Sequence, residues 1–82
     1  MDKYLRPRQL AANLGTCKAT IYRDVSSGLL PPPIKLGRRA SAWPESEIIA
    51  IMRARAAGKS TDAQRDLVQR ILAARQEAGG AA

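Results

Sequence analysis

The sequence predicts a mostly α-helical domain with a two-stranded β hairpin and an extra C-terminal helix. Three observations carry that prediction. Apolar residues recur at helical spacing in four separate segments. Two short runs, Ile34-Lys35-Leu36 and Ala40-Ser41-Ala42-Trp43, flank Gly37-Arg38-Arg39, a three-residue link of the kind that closes hairpins. Gly15, Gly28 and Gly58 fall where helical patterns stop, and glycine readily takes the left-handed geometry that ends a helix.

Each element has a local reason. Pro7 suits the first turn of a helix over residues 7–14, where its missing N–H costs nothing, and Leu10, Ala11 and Leu14 share one face. Gly15 stops that helix. Thr16 is the expected cap of the next, since its hydroxyl can accept a free N–H. In that second helix, 17–27, Ile21 and Val25 point inward, while Lys18, Ala19, Tyr22, Arg23 and Ser26 fall on the other side. Three consecutive prolines, Pro31 to Pro33, enforce an extended connector. An isolated hairpin is marginal, so the next one must lean on the helices, with Trp43 as anchor. Pro44-Glu45-Ser46-Glu47 opens a third helix, its acids placed where the helix dipole favours them. Ile48, Ile49, Ile51, Met52 and Ala56 are its expected buried face. Thr61 and Gln64 have capping-box spacing and start a last helix at 62–77, with an apolar stripe of Leu67, Val68, Ile71 and Leu72. This helix is expected to fold back on a core that is otherwise small, and residues 78–82 to fray as a disordered tail.

Composition bounds the function. Eighty-two residues make one small domain. The net charge is +7, and residues 1–43 hold eight basic side chains against two acidic ones, so nearly all of the field comes from that half. Clustered positive charge attracts polyanions. A solvated basic surface is the plain alternative, and a membrane surface is disfavoured by the scarcity of bulky apolar residues in the first helices. No apolar run approaches the roughly 20 residues of a membrane span. The start lacks an apolar leader, so a cytoplasmic location is expected. One cysteine and no histidine leave no internal disulfide and almost no ligands for a zinc site. Acid–base chemistry near neutral pH lacks its usual side chain. The expectation is a binding module with no catalytic residues, cofactor or metal.

The segment 7–28 carries the most specific signal. Ala11 is the small residue on which a second helix can pack, Gly15 frees the turn, and Ile21 is a buried branched residue. Their spacing of four and then six is that of a helix-turn-helix. Lys18, Thr20, Tyr22 and Arg23 are donors of the kind that reach phosphates and base edges, and with Thr16 and Ala19 they make up the candidate recognition surface. Lys35, Arg38 and Arg39 form the candidate wing, with adjacent arginines suited to a narrow minor groove. Arg6 and Arg8 are candidate backbone contacts from the first helix.

Several segments, taken in order, resemble the AlpA family of prophage regulators over about residues 3–57. They are Tyr4-Leu5-Arg6, Leu10-Ala11, Gly15, Thr20-Ile21-Tyr22-Arg23, Gly28-Leu29-Leu30-Pro31, Pro33-Ile34-Lys35-Leu36-Gly37-Arg38, Ala42-Trp43 and Glu45-Ser46-Glu47-Ile48. Thr16-Cys17 departs from the family's common apolar residue followed by serine. The resemblance implies a winged helix-turn-helix related to MerR-type DNA-binding domains and phage excisionases. It implies double-stranded DNA as partner in the bacterial nucleoid, near an integrase gene or an attachment site. One such domain covers only a few base pairs, so useful specificity calls for repeated or inverted sites and self-association, with RNA polymerase or integrase as further expected partners. Regulation of integrase and excision genes is the leading expectation. An excisionase that bends attachment-site DNA is the alternative, and an antitoxin or adaptor acting through the last helix is a third. RNA binding has only Tyr22 as a stacking candidate. Gly58-Lys59-Ser60-Thr61 echoes a phosphate-binding loop, but Arg53 stands where its first glycine is required, so it reads as two adjoining helix caps.

Overall fold

The computed structural model describes residues 2–80, with side chains through Glu77. The first helix, α1 (Pro7–Asn13), begins with Pro7 as expected, and Gln9 Oε1 accepts the Arg6 N–H at 2.9 Å. Gly15 ends it at a φ of +67°. The N–H of Gly15 bonds to Ala12 O and that of Thr16 to Ala11 O at 2.9 Å, the two closing bonds of a Schellman turn. Thr16 is thereby committed to the end of α1. The cap of α2 (Lys18–Ser26) is Cys17, one residue later than the sequence suggests. The second helix closes in the same way at Gly28, with the Leu29 N–H on Asp24 O at 2.9 Å.

After the prolines come β2 (Ile34–Lys35) and β3 (Ser41–Pro44), joined by the expected link and closed by Leu36 N–H to Ala40 O at 2.8 Å. β3 is also paired on its other side, by β1 (Tyr4–Leu5). The sheet is therefore three-stranded and antiparallel in the order β1-β3-β2, not a lone two-stranded wing. Ile34 faces Ala42 across one ladder and Leu5 faces Trp43 across the other. A two-residue strand shows no alternation to read, and its partner lies about forty positions away. Trp43 anchors the sheet as predicted: it is fully buried, and its indole Nε1–H donates to Pro31 O at 2.7 Å. Its neighbours in the core are Leu5, Leu10, Ala11, Ile21, Leu30, Ile48, Ile51 and Val68.

In α3 (Glu45–Ala56) only Ile48 and Ile51 are buried; Ile49, Met52 and Ala56 are exposed, contrary to the expected broad face. The sheet and α4 cover one side of this helix, and those three residues lie on the other. The start of α3 is capped from far away. Asp2 accepts the Ser46 N–H at 3.1 Å and the Ser46 hydroxyl at 2.6 Å. The Ser46 hydroxyl first, then its backbone N–H, holds the Asp2 carboxyl below the ordinary aspartate range. A lowered native pKa means that this stabilisation is complete above the unfolded value of about 3.9 and is lost as pH falls through the native one. Asp2→Ala should therefore lower the melting temperature at pH 6, and the gap to wild type should close in acid. A gap that stays constant down to pH 2 would contradict the assignment.

The last helix, α4 (Thr61–Gly80), is capped by Ser60, whose Oγ accepts the Ala63 N–H at 3.1 Å, one position ahead of the predicted Thr61. The preceding Lys59 N–H is spent on Ala54 O, closing α3 and leaving Ser60 first in line. α4 folds back as expected, with Val68 buried and Leu67, Ile71 and Leu72 packed against the core. It remains helical three residues past the predicted end; of the tail expected to fray, residues 81 and 82 lie outside the described residues. The Arg75 guanidinium clamps it, donating to both Glu47 carboxylate oxygens and, at 2.8 Å, to Pro32 O. The Arg75 and Glu47 side chains are only 19% and 14% exposed. Removing one partner of a buried pair costs about 3–5 kcal/mol, and the residual exposure trims that to about 2–3 kcal/mol here. Arg75→Ala should thus lower the melting temperature by roughly 8–24 °C. An unchanged value would remove the clamp from the account.

Candidate nucleic-acid interface

The helix-turn-helix residues sit where their spacing put them. Ala11 and Ile21 are both buried between α1 and α2, and Gly15 provides the turn. With Ile21 and Val25 turned inward, helical geometry of about 100° per residue places Lys18, Tyr22, Ser26, Ala19 and Arg23 on one arc of roughly 140°. All five are exposed. Thr20 falls just beyond Arg23 on this wheel and is half-buried, its Oγ1 3.5 Å from Cys17 Sγ. Thr16 is exposed in the turn before the helix. The structure thus brings Lys18, Ala19, Tyr22 and Arg23 together and sets Thr20 at their edge.

Tyr22 also leans on the core. Its ring centroid lies 6.1 Å from that of Trp43, tilted by 57°, while 41% of the residue stays exposed. Because Trp43 belongs to β3, this contact ties the outer arc of α2 to the sheet that carries the wing. In the wing, Lys35, Arg38 and Arg39 are exposed around a shallow cleft that Ser41 completes. Arg6 and Arg8 are exposed at the start of α1, the positive end of the helix dipole, where a cation gains nothing from its own helix.

The ion pairs divide the basic residues into two sets. Beyond Pro44, Arg55, Arg65, Arg70 and Arg75 pair with acids of the chain, and among the described residues only Arg53 and Lys59 of that half do not. In the first half, among the described residues, only Arg23 has an acidic neighbour, Asp24 at 4.0 Å, and its side chain is 73% exposed. Lys18, Lys35, Arg38, Arg39, Arg6 and Arg8 have none within pairing distance. The uncompensated charge is therefore concentrated on the start of α1, on α2 and on the wing.

Sequence reasoning missed the residues that hold α2 in place. Arg55 reaches Asp24 at 3.5 Å, and Arg65 donates to Ser27 O at 3.0 Å with its stem over Gly28. These partners are tens of residues apart, so no local pattern announces them. Thr20 and the backbone at the start of α2 hold the exposed Cys17 thiol below its ordinary pKa. The described residues contain no group of three or more metal-binding side chains.

A mostly helical domain with a short helix-turn-helix, a three-stranded antiparallel sheet and a basic hairpin is of the winged helix-turn-helix class. The chain belongs to the AlpA family: residues 3–56 match the family described as Prophage CP4-57 regulatory protein (AlpA). It is also 34% identical over 58 residues to the uncharacterized protein ORF88 of Enterobacteria phage P4, a match covering 71% of this chain and 66% of that protein. No solved structure matches it. The family match ends within a turn of the end of α3, so α4 lies outside it.

Proposed function

We propose that this chain is a sequence-specific double-stranded DNA-binding protein that regulates integrase and excision genes of a phage, prophage or genomic island in the bacterial cytoplasm. The observation that carries this reading is the placement of unpaired cations on α2 and the wing, while most arginines of the second half are neutralised at home. Membership of a prophage regulatory family supports it. In this reading α2 enters a major groove with Lys18, Ala19, Tyr22 and Arg23 towards base edges and phosphates. Lys35, Arg38 and Arg39 take the backbone or the adjacent minor groove, and Arg6 and Arg8 add phosphate contacts. The adaptor reading is the weaker one, because α4 spends its apolar stripe on the core.

The test is binding to DNA flanking the chain's own gene and the nearest integrase gene and attachment site, near physiological salt and with excess random competitor. A discrete footprint is expected. Its position at a promoter supports regulation, and its position within the attachment site supports excision instead. Binding that competitor abolishes would reduce the basic face to a solvated surface and overturn the proposal.

A further inference from the structure

We propose that the outer face of α3 is a self-association surface, on which α3 of a second copy of this chain packs antiparallel about a two-fold axis. The face is made of Glu45, Ile49, Met52 and Ala56, with Arg53 alongside. Their steps of four, three and four are the spacing of a coiled-coil seam. The fold leaves this seam uncovered: Ile49 and Met52 are each 39% exposed, and Ala56 and Arg53 are exposed. The other charges of α3 find partners at home, Glu47 with Arg75 and Arg55 with Asp24. Among the described residues, Glu45 and Arg53 have no ion-pair partner.

Charge decides the occupant and its direction. The seam is acidic at its N-terminal end and basic towards its C-terminal end. A parallel copy would set Glu45 beside Glu45 and Arg53 beside Arg53. An antiparallel copy sets Ile49 against Met52 twice and Glu45 against the small Ala56, within reach of the second copy's Arg53. The surface is thus complementary to itself, as a two-fold interface must be. It is also small. Twelve residues of helix are about 18 Å long, and two such helices bury well under the roughly 1,000 Å² of a stable complex. The pairing is weak in free solution and becomes effective where adjacent sites hold two copies at local concentrations in the millimolar range. It presents the two recognition helices in opposite senses, so the half-sites are inverted, not directly repeated. That last step rests on the DNA-binding reading; the pairing itself does not.

Sedimentation equilibrium of the full chain, from about 10 μM to about 1 mM, brackets the effective concentration on a shared template. A reversible monomer–dimer equilibrium is expected. Glu45→Arg alone and Arg53→Glu alone should each weaken it about tenfold through like-charge contact, and the two together should restore it. Ile49→Lys should abolish it. Ile49 and Arg53 are exposed and Glu45 is half-buried at the first turn of α3, so circular dichroism of each variant checks that the fold is intact. A monomer at every concentration, a dimer indifferent to the single reversals, or no rescue by the double variant would each overturn the proposal. A monomer that still gives a footprint would overturn this pairing alone, whereas an intact dimer without a footprint would overturn the DNA-binding reading alone.

Discussion

Trp43→Ala should leave a large fraction of the chain unfolded at 25 °C. The indole is fully buried on the central strand, with Leu5 opposite it and Tyr22 beside it. Removing a buried tryptophan costs about 3–5 kcal/mol in transfer and cavity terms. Its Nε1–H also satisfies Pro31 O at 2.7 Å, and a buried carbonyl left without a partner adds about 1–3 kcal/mol. At about 0.05–0.15 kcal/mol per residue, a domain of this length has only about 4–12 kcal/mol in total. Trp43→Phe keeps a six-membered ring in the site but loses the donor and part of the indole's volume; it should melt between wild type and Trp43→Ala. Far-UV circular dichroism and amide proton dispersion read the outcome. A Trp43→Ala chain with a wild-type melting curve would remove the indole as the joint between wing and helices.

Much of this architecture is legible because it is local. Each stop at Gly15, Gly28 and Gly58 needs a positive φ at one position, and all three glycines adopt it. The spacing of Ala11, Gly15 and Ile21 fixes a helix pair within one stretch of chain, and the wing is closed by its own three-residue link. Both caps stand two residues after a glycine, at Cys17 where the sequence suggests Thr16 and at Ser60 where it suggests Thr61. A Schellman turn consumes the N–H of the residue after its glycine, so the cap falls on the residue that follows. What the sequence hides is non-local: the strand at Tyr4–Leu5, the Asp2 cap on α3, and the arginines of α3 and α4 that reach back to α2 and the connector. The candidate recognition face was readable by periodicity alone, except for Thr20, which stands at the edge of the exposed arc and contacts Cys17. Paired and unpaired cations look alike along the chain, because nothing beside Arg38 or Arg75 in the sequence marks that only the second meets Glu47.

Substitutions on α2 and on the wing should fail in different ways, and the difference tests the proposed division of labour. Arg23→Ala should weaken binding to the cognate fragment by about 1–3 kcal/mol, or roughly 5- to 150-fold, and should weaken random DNA much less. A bidentate guanidinium contact to a base edge is lost only where the right base was present. Arg38→Ala combined with Arg39→Ala should weaken all sequences alike. With about five to six phosphates neutralised by the intact chain, the slope of log K against log salt should be roughly −5, and losing two contacts should bring it to roughly −3. Neither change should alter folding, because these side chains are exposed and none anchors the core; the Arg23 approach to Asp24 is a long, solvent-screened 4.0 Å. If both variants bind like wild type, the winged-helix mechanism fails. If the wing variant loses sequence preference while Arg23→Ala only flattens the salt slope, DNA binding stands and the roles are reversed, with the arginines reading groove shape and α2 holding the backbone.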